Sequence, residues 1–404
     1  MSDNTIESYR LLTPAEAAQW ASQKLNLFPH GAQLQATEIG DGNLNYIFRV
    51  VDPAGGTSVV LKQSGDTARI SDEFKVSPDR NRIEHDILVR YGQIVPKLVP
   101  KVFAFDPILN LTALEDLSDH VILRKGWLEG GSYPRAADDL AEFMVQTLVA
   151  TSDGVLSPKE KKDLVRAFIN PDLCEITEDL VYTEPFADIR SRNEVTPGLE
   201  PFVEKHLYAD RALRLEVAQL KARFLSSSQT LIHGDLHTGS VFVRPDSTKV
   251  IDPEFAFFGP AGFDPGVMAA NAAFAFFGAR ATGRDSEAGA FLVAFIDRFI
   301  ERWRDLWSAS VTDPAFQVPG YAEWHLAQVL EDAAGAAGLE LCRRTVGLAK
   351  VKDQTSIADR KQRLPAERAA LRAGKELILH RARVRTGHDY FKIVRRAAAQ
   401  EGLD

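Results

Sequence analysis

Two acidic motifs near the middle of the chain have the residue types and spacing for phosphoryl transfer. The first motif is His233 to Ser240, which contains Asp235, and the second is Asp252-Pro253-Glu254. Short apolar runs predict strands before and after the first motif and before the second, with the two aspartates facing each other across a tight ribbon. Phosphoryl transfer needs one group that orients an acceptor hydroxyl and another that holds magnesium. We therefore expect Asp235 to be the base and Asp252 a metal ligand.

The residues around these aspartates support this hypothesis to different degrees. Asp252 and Glu254 are hard oxygen ligands separated by a proline that restrains the backbone, which suits magnesium and not zinc, although two exposed acids in a turn are the alternative. We expect His233 to be a packed loop residue, whereas His237 either shapes the loop or contacts the acceptor. Asp264 either caps the following apolar helix or braces the Asp235 loop.

Candidate phosphate-binding residues lie near the N-terminus. Gly40-Asp41-Gly42-Asn43 joins two predicted strands, and its glycines would let backbone N–H groups approach an anion, although Asp-Gly is also a common hairpin turn. Lys62 ends the next strand, where it would neutralise phosphate charge unless it is an ordinary edge-strand lysine. Glu84 on the following helix could pair with Lys62, while Asp86 is the competing candidate. The pattern indicates an ATP site.

Composition excludes several classes of protein. The chain has 404 residues, 45% hydrophobic residues, a formal charge of −8 and two cysteines. The acidic balance argues against a nucleic-acid partner, and the scarcity of cysteine favours a reducing, cytoplasmic location. The most apolar stretch, Val267 to Ala279, is too short to span a bilayer and is expected to be a buried helix. We expect a globular protein with no membrane partner.

The predicted elements divide the chain into a β-rich part and a helical part. A capping box at Thr13-Pro14-Ala15-Glu16 predicts a first helix to about Lys24. Five strands are predicted at Gln33–Ile39, Asn45–Val51, Thr57–Gln63, Lys101–Asp106 and Asn110–Leu114. One helix, Asp79–Tyr91, should pack on their sheet, and later strands are predicted at Gln229–Ile232, Val241–Val243 and Lys249–Ile251.

The fold class expected from these elements is α+β, with two lobes. Residues 1–117 would form a small N-terminal lobe with an antiparallel sheet that binds ATP, and residues 118–404 a larger, mainly helical lobe with the catalytic loop, metal site and acceptor site. The segment Glu115-Asp116-Leu117 would join them as a hinge beside a ligand cleft. Small residues at Ala333 to Ala337 indicate close helix packing.

Arg343 and Arg344 are two adjacent cations in an acidic chain. A developing phosphoryl anion needs such planar donors, although arginines on a helix surface are the alternative. Adjacent helical residues point about 100° apart, so both reach one group only if their helix, which starts near Tyr321, ends or bends there. The residues Thr345, Val346 and Gly347 make such an ending plausible.

These motifs resemble those of the protein-kinase-like small-molecule kinases, which include aminoglycoside phosphotransferases and choline kinases. Gly40 to Tyr46, His233 to Ser240 and Asp252 to Phe257 are most similar to the glycine loop, catalytic loop and D-x-E metal motif of the methylthioribose kinases. The resemblance runs nearly from end to end of the chain. Ser240 departs from the wider superfamily, where an asparagine helps to bind a second magnesium ion, so the number of metal ions is open.

The resemblance implies a bilobal protein-kinase-like fold and ATP-dependent phosphorylation of the 1-hydroxyl of S-methyl-5-thioribose in methionine salvage. Asp235 would be the base, Asp252 and Glu254 would bind Mg²⁺, and Lys62 would bind phosphate. The segment 115–117 would bind adenine, and the twin arginines would lie near the transferred phosphate. We also expect a homodimer, although sequence physics does not fix the oligomeric state. A kinase of another sugar or amino alcohol and a non-catalytic nucleotide-binding regulator are the alternatives.

Overall fold

This computed structural model describes residues 8–39, 45–65, 77 and 79–403. The chain divides into two compact units, of which the first contains a small antiparallel sheet and the second is mainly helical. The first unit comprises Met1–His120 and Lys249–Phe255, and the second comprises Val121–Thr248 and Ala256–Asp404. The predicted α+β class, with a small sheet followed by a larger helical part, is confirmed. The roles assigned to residues 1–117 and 118–404 stay predictions. Sequence patterns did not indicate that Lys249–Phe255 joins the first unit.

The sheet of the first unit has five strands in the order β1-β2-β3-β5-β4. Every neighbouring pair is antiparallel, and in this register Lys62 lies opposite Ile47 on one side and Thr112 on the other. Lys62 is therefore in an interior strand and is not an edge-strand lysine. The five predicted strands are confirmed, with ends shifted by up to two residues: β1 Gln35–Glu38, β2 Asn45–Val51, β3 Ser58–Ser64, β4 Val102–Asp106 and β5 Leu111–Glu115.

Helices pack on both faces of this sheet. Helix α1, Pro14–Lys24, begins with the predicted capping box, and its Trp20 packs into the same buried cluster as Leu61 of β3. Successive strand residues point to opposite faces, so Lys62 lies on the other face, where helix α2, Asp79–Ile94, contacts the sheet. The predicted helix on the sheet is therefore present, and α1 packs on the opposite face because its apolar side also needs a surface to bury it.

The second unit is mainly helical. Its helices are α3 Leu123–Leu128, α4 Ala136–Ala150, α5 Pro158–Ala167, α6 Pro171–Thr177, α7 Glu184–Ala187, α8 Glu200–Val203, α9 Arg211–Ser226, α10 Phe263–Ala281, α11 Ala288–Ser310, α12 Tyr321–Val346, α13 Lys352–Thr355, α14 Arg360–His380 and α15 Gly387–Gln400. Helix α10 is buried from Phe263 to Ala279, which confirms the buried helix expected there. Across the described ranges, no helix combines the length and the apolar character that a membrane crossing requires.

Short strands flank the Asp235 loop, and they form only part of the predicted ribbon. They are β6 Val121–Ile122, β7 Thr230–Ile232, β8 Val241–Arg244, β9 Ser247–Val250 and β10 Phe257–Gly259. Strand β7 pairs with β10, whereas β8 pairs with β6. The chain leaves β7 through Gly234, whose φ of +85° is a turn conformation that other residues rarely adopt. The loop therefore connects strands of two different sheets. Strands β8 and β9 are neighbours, as the predicted ribbon requires, whereas β7 lies in the other sheet. That Asp235 and Asp252 face each other stays a prediction.

Helices α10 and α12 approach each other closely through small residues. A methyl group added at Gly266 would lie 2.3 Å from the carbonyl oxygen of Ala333 and 2.7 Å from Cβ of Ala336. One added at Gly262 would lie 2.3 Å from the carbonyl oxygen of Val329. The small residues from Ala333 to Ala337 therefore serve close helix packing, as predicted.

Gly266→Ala should destabilise the protein by about 1–3 kcal/mol, because the new methyl group meets backbone atoms that cannot move without separating the two helices. Gly92→Ala in α2 is the matched control, because a methyl group added there would have no heavy atom within 4 Å apart from the adjacent residues and the backbone of its own helix. That control should be stabilising by roughly 0.5–1 kcal/mol from helix propensity alone. Urea unfolding measures both changes. Equal effects of the two substitutions would contradict the packing argument.

Candidate active site

Asp235 lies in a cluster of charged side chains at the end of α12. Nη2 of Arg343 and Nη2 of Arg344 donate to the same oxygen, Oδ1 of Asp235, at 3.1 and 3.2 Å. The other oxygen, Oδ2, lies 3.6 Å from Nε2 of His237. The Asp235 side chain keeps 25% of its surface exposed, so a further group can still approach it. The two arginines converge on one carboxylate, as an end to their helix would allow.

Helix α12 ends where the sequence predicted. It runs from Tyr321 to Val346, and Gly347 donates its N–H to the carbonyl oxygen of Arg343 at 2.7 Å. Both arginines therefore stand in the last turn of the helix, where cations also interact favourably with the helix dipole. The helix ends at Val346, two residues after Arg344, so both side chains reach Asp235 from its last turn.

The arginines keep Asp235 ionised. Burial alone would raise the pKa of Asp235, but the charges around it, including Arg344 and Arg343, hold the pKa well below its usual range. Burial lowers the pKa of His237 to about 3, so its imidazole is neutral near pH 7. A neutral ring supplies no net charge, and the two guanidinium groups are therefore the cations that keep the carboxylate charged.

His237 has a defined proton position. Its Nδ1 accepts the N–H of Gly239 at 3.1 Å and lies 3.0 Å from Oγ of Ser240. A neutral imidazole with an accepting Nδ1 carries its proton on Nε2, which is the nitrogen that faces Asp235. The Ser240 hydroxyl also donates to the carbonyl oxygen of Asp235 at 3.3 Å. His237 and Ser240 therefore shape the loop, and His237 also presents a donor beside Oδ2.

Asp264 braces the Asp235 loop. Its Oδ2 accepts the N–H of His233 at 2.7 Å, and its Oδ1 accepts the N–H of Gly234 at 3.0 Å. Asp264 is only 2% exposed, and burial raises its pKa while the two N–H groups and His233 oppose that rise. Of the two roles considered from the sequence, the brace is confirmed. His233 is fully buried, in agreement with its predicted structural role.

Lys62 lies between two carboxylates in the first unit. Its Nζ donates to Oε1 of Glu84 at 2.7 Å and to Oδ1 of Asp252 at 2.6 Å. Asp86 pairs instead with Arg82, so Glu84 is the partner of Lys62. Burial alone would lower the pKa of Lys62, but the neighbouring carboxylates raise it, while burial raises the pKa of Glu84. Lys62 is therefore fixed as a cation beside Asp252.

Asp252 and Glu254 lie in a turn with an unusual backbone conformation. Asp252 has a φ of +60°, a left-handed conformation that costs free energy for a residue other than glycine, and its side chain remains 43% exposed. Glu254 follows in the short turn Pro253–Phe255. Its Oε2 accepts Nδ2 of Asn45 at 3.2 Å and lies 3.4 Å from Nε of Arg80. The strained turn is maintained by these buried polar contacts.

The donor set of Asp252 and Glu254 fits magnesium bound together with nucleotide phosphates. Both side chains offer hard carboxylate oxygens, and magnesium in nucleotide sites usually takes one or two protein carboxylates plus phosphate and water oxygens. Among the residues with assigned positions, no group of three or more His, Cys, Asp or Glu side chains converges as a site made by protein alone. The residues therefore fit a metal ion that the nucleotide helps to hold.

The other residues predicted to bind ATP differ in what the structure shows of them. Gly40, Asp41, Gly42 and Asn43 lie outside the described residues. In the segment 115–117, Oε2 of Glu115 accepts the N–H of Lys101 at 3.0 Å, and Oδ2 of Asp116 accepts Nε of Arg49 at 2.7 Å. Leu117 is buried. The two acidic side chains already have partners within the first unit, and an adenine-binding role for the segment stays a prediction.

Three supporting residues were missed by the sequence analysis. Glu340 accepts hydrogen bonds from Arg343 and Arg344, and its spacing of three and four residues before them was a usable signal. Arg124 donates its backbone N–H to the carbonyl oxygen of Thr238, and its Nε to the Thr238 hydroxyl at 3.2 Å. Arg80 lies beside Glu254. No local pattern marks Arg124 or Arg80, because their partners are distant in sequence.

Asp264→Asn should reduce the free energy of unfolding by about 1–3 kcal/mol, because an amide has one accepting oxygen and leaves one of the two buried N–H groups without an acceptor. Asp297→Asn is a suitable control, because Asp297 accepts a single backbone N–H, that of Gly387 at 2.8 Å. Denaturant unfolding of both variants is the measurement. A loss in Asp297→Asn as large as in Asp264→Asn would argue against the bracing role.

The sequence of the chain is similar to those of known phosphotransferases. A choline kinase structure from Cryptosporidium parvum Iowa II aligns with a TM-score of 0.48 at 12% identity, covering 96% of this chain and 94% of that chain. The model of the phosphotransferase enzyme family matches residues 35–309. Methylthioribose kinase of Geobacillus sp. strain WCH70 is 43% identical over 363 residues, 89% of each chain. The same enzyme of Yersinia enterocolitica is 40% identical over 398 residues, 96% of this chain and 99% of the relative. From these sequence matches, the chain belongs to the phosphotransferase enzyme family and, within it, to the family of the methylthioribose kinases.

Proposed function

We propose that the protein transfers the γ-phosphoryl group of ATP to the 1-hydroxyl of S-methyl-5-thioribose, forming S-methyl-5-thioribose 1-phosphate in methionine salvage. The observation that carries the phosphoryl-transfer chemistry is the pairing of two arginines with one oxygen of Asp235. Membership of the methylthioribose kinase family supplies the acceptor. The activity is that of an ATP-dependent phosphotransferase with an alcohol group as acceptor.

In this proposal the first unit binds the nucleotide. Lys62 would neutralise charge on the α- and β-phosphates, and Asp252 and Glu254 would hold Mg²⁺. The metal would neutralise charge on the β- and γ-phosphates when it is bound. The support is the ion pair between Lys62 and Asp252, in which a cation already lies against this carboxylate. Adenine binding by 115–117 and phosphate binding by Gly40 to Asn43 complete the proposal.

Asp235 orients the acceptor hydroxyl. Because both arginines use Oδ1, Oδ2 is the oxygen with capacity to accept the hydroxyl hydrogen bond, beside the Nε2–H of His237. The depressed pKa of Asp235 makes it a weak base, so it should position the hydroxyl first and accept its proton only late in the reaction. Positioning and charge stabilisation are the main sources of rate in phosphoryl transfer.

Arg343 and Arg344 stabilise the transferring group. Their planar guanidinium groups carry several donors each, and such donors gain strength as charge spreads over the phosphoryl oxygens. Both side chains are mostly buried, with 12% and 10% of their surface exposed, so water screens their charge only weakly. Their pairing with Asp235 supports a role at the reacting atoms.

A coupled assay for ADP formation tests the function. Purified protein with Mg-ATP would be offered S-methyl-5-thioribose and, separately, choline, an aminoglycoside and ribose. We expect a preference of about a hundredfold or more in kcat/KM for S-methyl-5-thioribose. A pocket that takes the apolar methylthio group should reject ribose, which carries a hydroxyl there, by roughly a hundredfold. Preference for another acceptor would identify a different small-molecule kinase. ATP binding without turnover of any acceptor would indicate a regulator.

Asp235→Asn should lower kcat by roughly a hundredfold or more, because the amide oxygen cannot accept the proton and its NH₂ group faces the arginines. Mg-ATP affinity should change little, since Asp235 has no nucleotide role in the proposal. Steady-state kinetics and calorimetry measure the two quantities. Unchanged turnover in a folded variant would refute the assignment.

Asp252→Ala should abolish magnesium-dependent ATP binding, because the nucleotide phosphates lose the carboxylate that shares their counterion. Calorimetry with ATP in magnesium and in EDTA gives the magnesium-dependent part of the affinity. Asp246→Ala is the control, because Asp246 is an exposed aspartate that pairs with Arg244. Wild-type Mg-ATP affinity in Asp252→Ala would count decisively against the metal site.

Two broader expectations belong to the same proposal. The cytoplasm is the location that a methionine-salvage enzyme with two free cysteines would suit. A homodimer is the expected assembly, and sedimentation equilibrium distinguishes it from a monomer. A monomeric protein with full activity would contradict the assembly but not the activity.

A further inference from the structure

Glu340 occupies a position on α12 from which a single side chain reaches both arginines. It lies three residues before Arg343 and four before Arg344. At about 100° per residue, these two arginines project about 60° to one side and 40° to the other side of Glu340, one turn further along the helix. Helical side chains also lean toward the N-terminus, so both guanidinium groups extend back toward Glu340.

The contacts of Glu340 use one edge of each guanidinium group. Nε of Arg344 donates to Oε1 at 2.9 Å, and Nε of Arg343 donates to Oε2. Glu340 is 1% exposed, so it offers nothing to a ligand directly. Burial opposes its ionisation, but the two arginines hold its pKa below the usual range. Glu340 and Asp235 are thus two carboxylates that share two guanidinium cations.

The contacts with Glu340 determine which N–H groups each arginine can donate to Asp235. A guanidinium group binds a carboxylate most strongly through two parallel hydrogen bonds, for example from Nε and one Nη. With Nε held by Glu340, each arginine gives Asp235 only its Nη2. Within the described part of the chain, Nη1 of both arginines has no hydrogen-bond partner. Glu340 therefore keeps the two Nε donors from Asp235, and the Nη1 donors of both arginines are left for another group.

We infer that Glu340 is a positioning residue for phosphoryl transfer, which holds both guanidinium groups by Nε so that their remaining donors serve the reacting group. The inference rests on the proposed function of Asp235, Arg343 and Arg344. Glu340 does not touch substrate and acts through the arginines. Its carboxylate also balances the charge of the cluster, because two carboxylates face two guanidinium groups.

Three variants separate positioning from stability. Glu340→Gln removes the charge and one acceptor, and Glu340→Asp keeps the charge but is one methylene shorter, so it cannot hold both Nε atoms in the same way. Glu367→Gln is the matched control. Glu367 is 0% exposed on α14, and it accepts Nε of Arg363 at 2.7 Å and the hydroxyl of Thr196 at 2.8 Å.

We expect Glu340→Gln to lower kcat by roughly ten- to a hundredfold, the scale on which misplaced catalytic groups cost rate, with both KM values within about threefold of wild type. Compared with Glu340→Gln, Glu340→Asp should recover most of the wild-type melting temperature but not the wild-type kcat. Glu367→Gln should lower the melting temperature and leave kcat near the wild-type value. Wild-type kcat in Glu340→Gln, or full recovery of kcat in Glu340→Asp, would overturn the inference.

A spectroscopic measurement tests the same contacts without turnover. The Nε–H signals of the two arginines, identified by their loss in Arg343→Lys and Arg344→Lys, should exchange slowly with solvent in wild type. At least one should exchange faster in Glu340→Asp. Fast exchange of both in wild type would overturn the inference, even if Glu340→Gln fails to fold. Absence of wild-type activity with S-methyl-5-thioribose would instead refute the proposed acceptor and leave this measurement valid.

Discussion

The charge on Asp235 is the constraint around which the second unit is built. Two guanidinium groups at the end of α12 keep this carboxylate ionised, and Asp264 on α10 holds the backbone of the same loop. The loop is therefore fixed from two helices at once. Those helices approach each other so closely at Gly266 that a single methyl group would collide with backbone. Small residues in the helix interface thus determine how accurately the charges meet.

In the first unit, the buried charge that needs compensation is positive and belongs to Lys62. Lys62 is buried, which alone would lower its pKa, but Asp252 and Glu84 raise it. Asp252, which takes part in this compensation, has a left-handed backbone conformation, φ +60°, next to Pro253. Such strain persists when surrounding contacts over-determine it. Here those contacts are the Lys62 ion pair and the polar partners of Glu254.

Local patterns in the sequence predicted the features that depend on neighbouring residues. The capping box at Thr13 and the end of α12 near Gly347 were correct, because helix termini follow from short-range hydrogen bonding. The pairing of β7 with β10 was missed, because strand partners are chosen by packing between distant segments. Arg80 was missed for the same reason. Glu340 lay within local range, but a carboxylate three and four residues before arginines is also common as an ion pair on an exposed helix face.

The low pKa of Asp235 also constrains the order of events in the proposed reaction. While Asp235 is charged, it competes with the phosphoryl group for the two arginines. When the acceptor hydroxyl passes its proton to Asp235, that carboxyl becomes neutral and its hold on the guanidinium groups weakens. Because this proton transfer comes late, both arginines remain shared with Asp235 while charge develops on the transferring group. The donors left for that group are then the Nη1 groups, which neither Asp235 nor Glu340 uses.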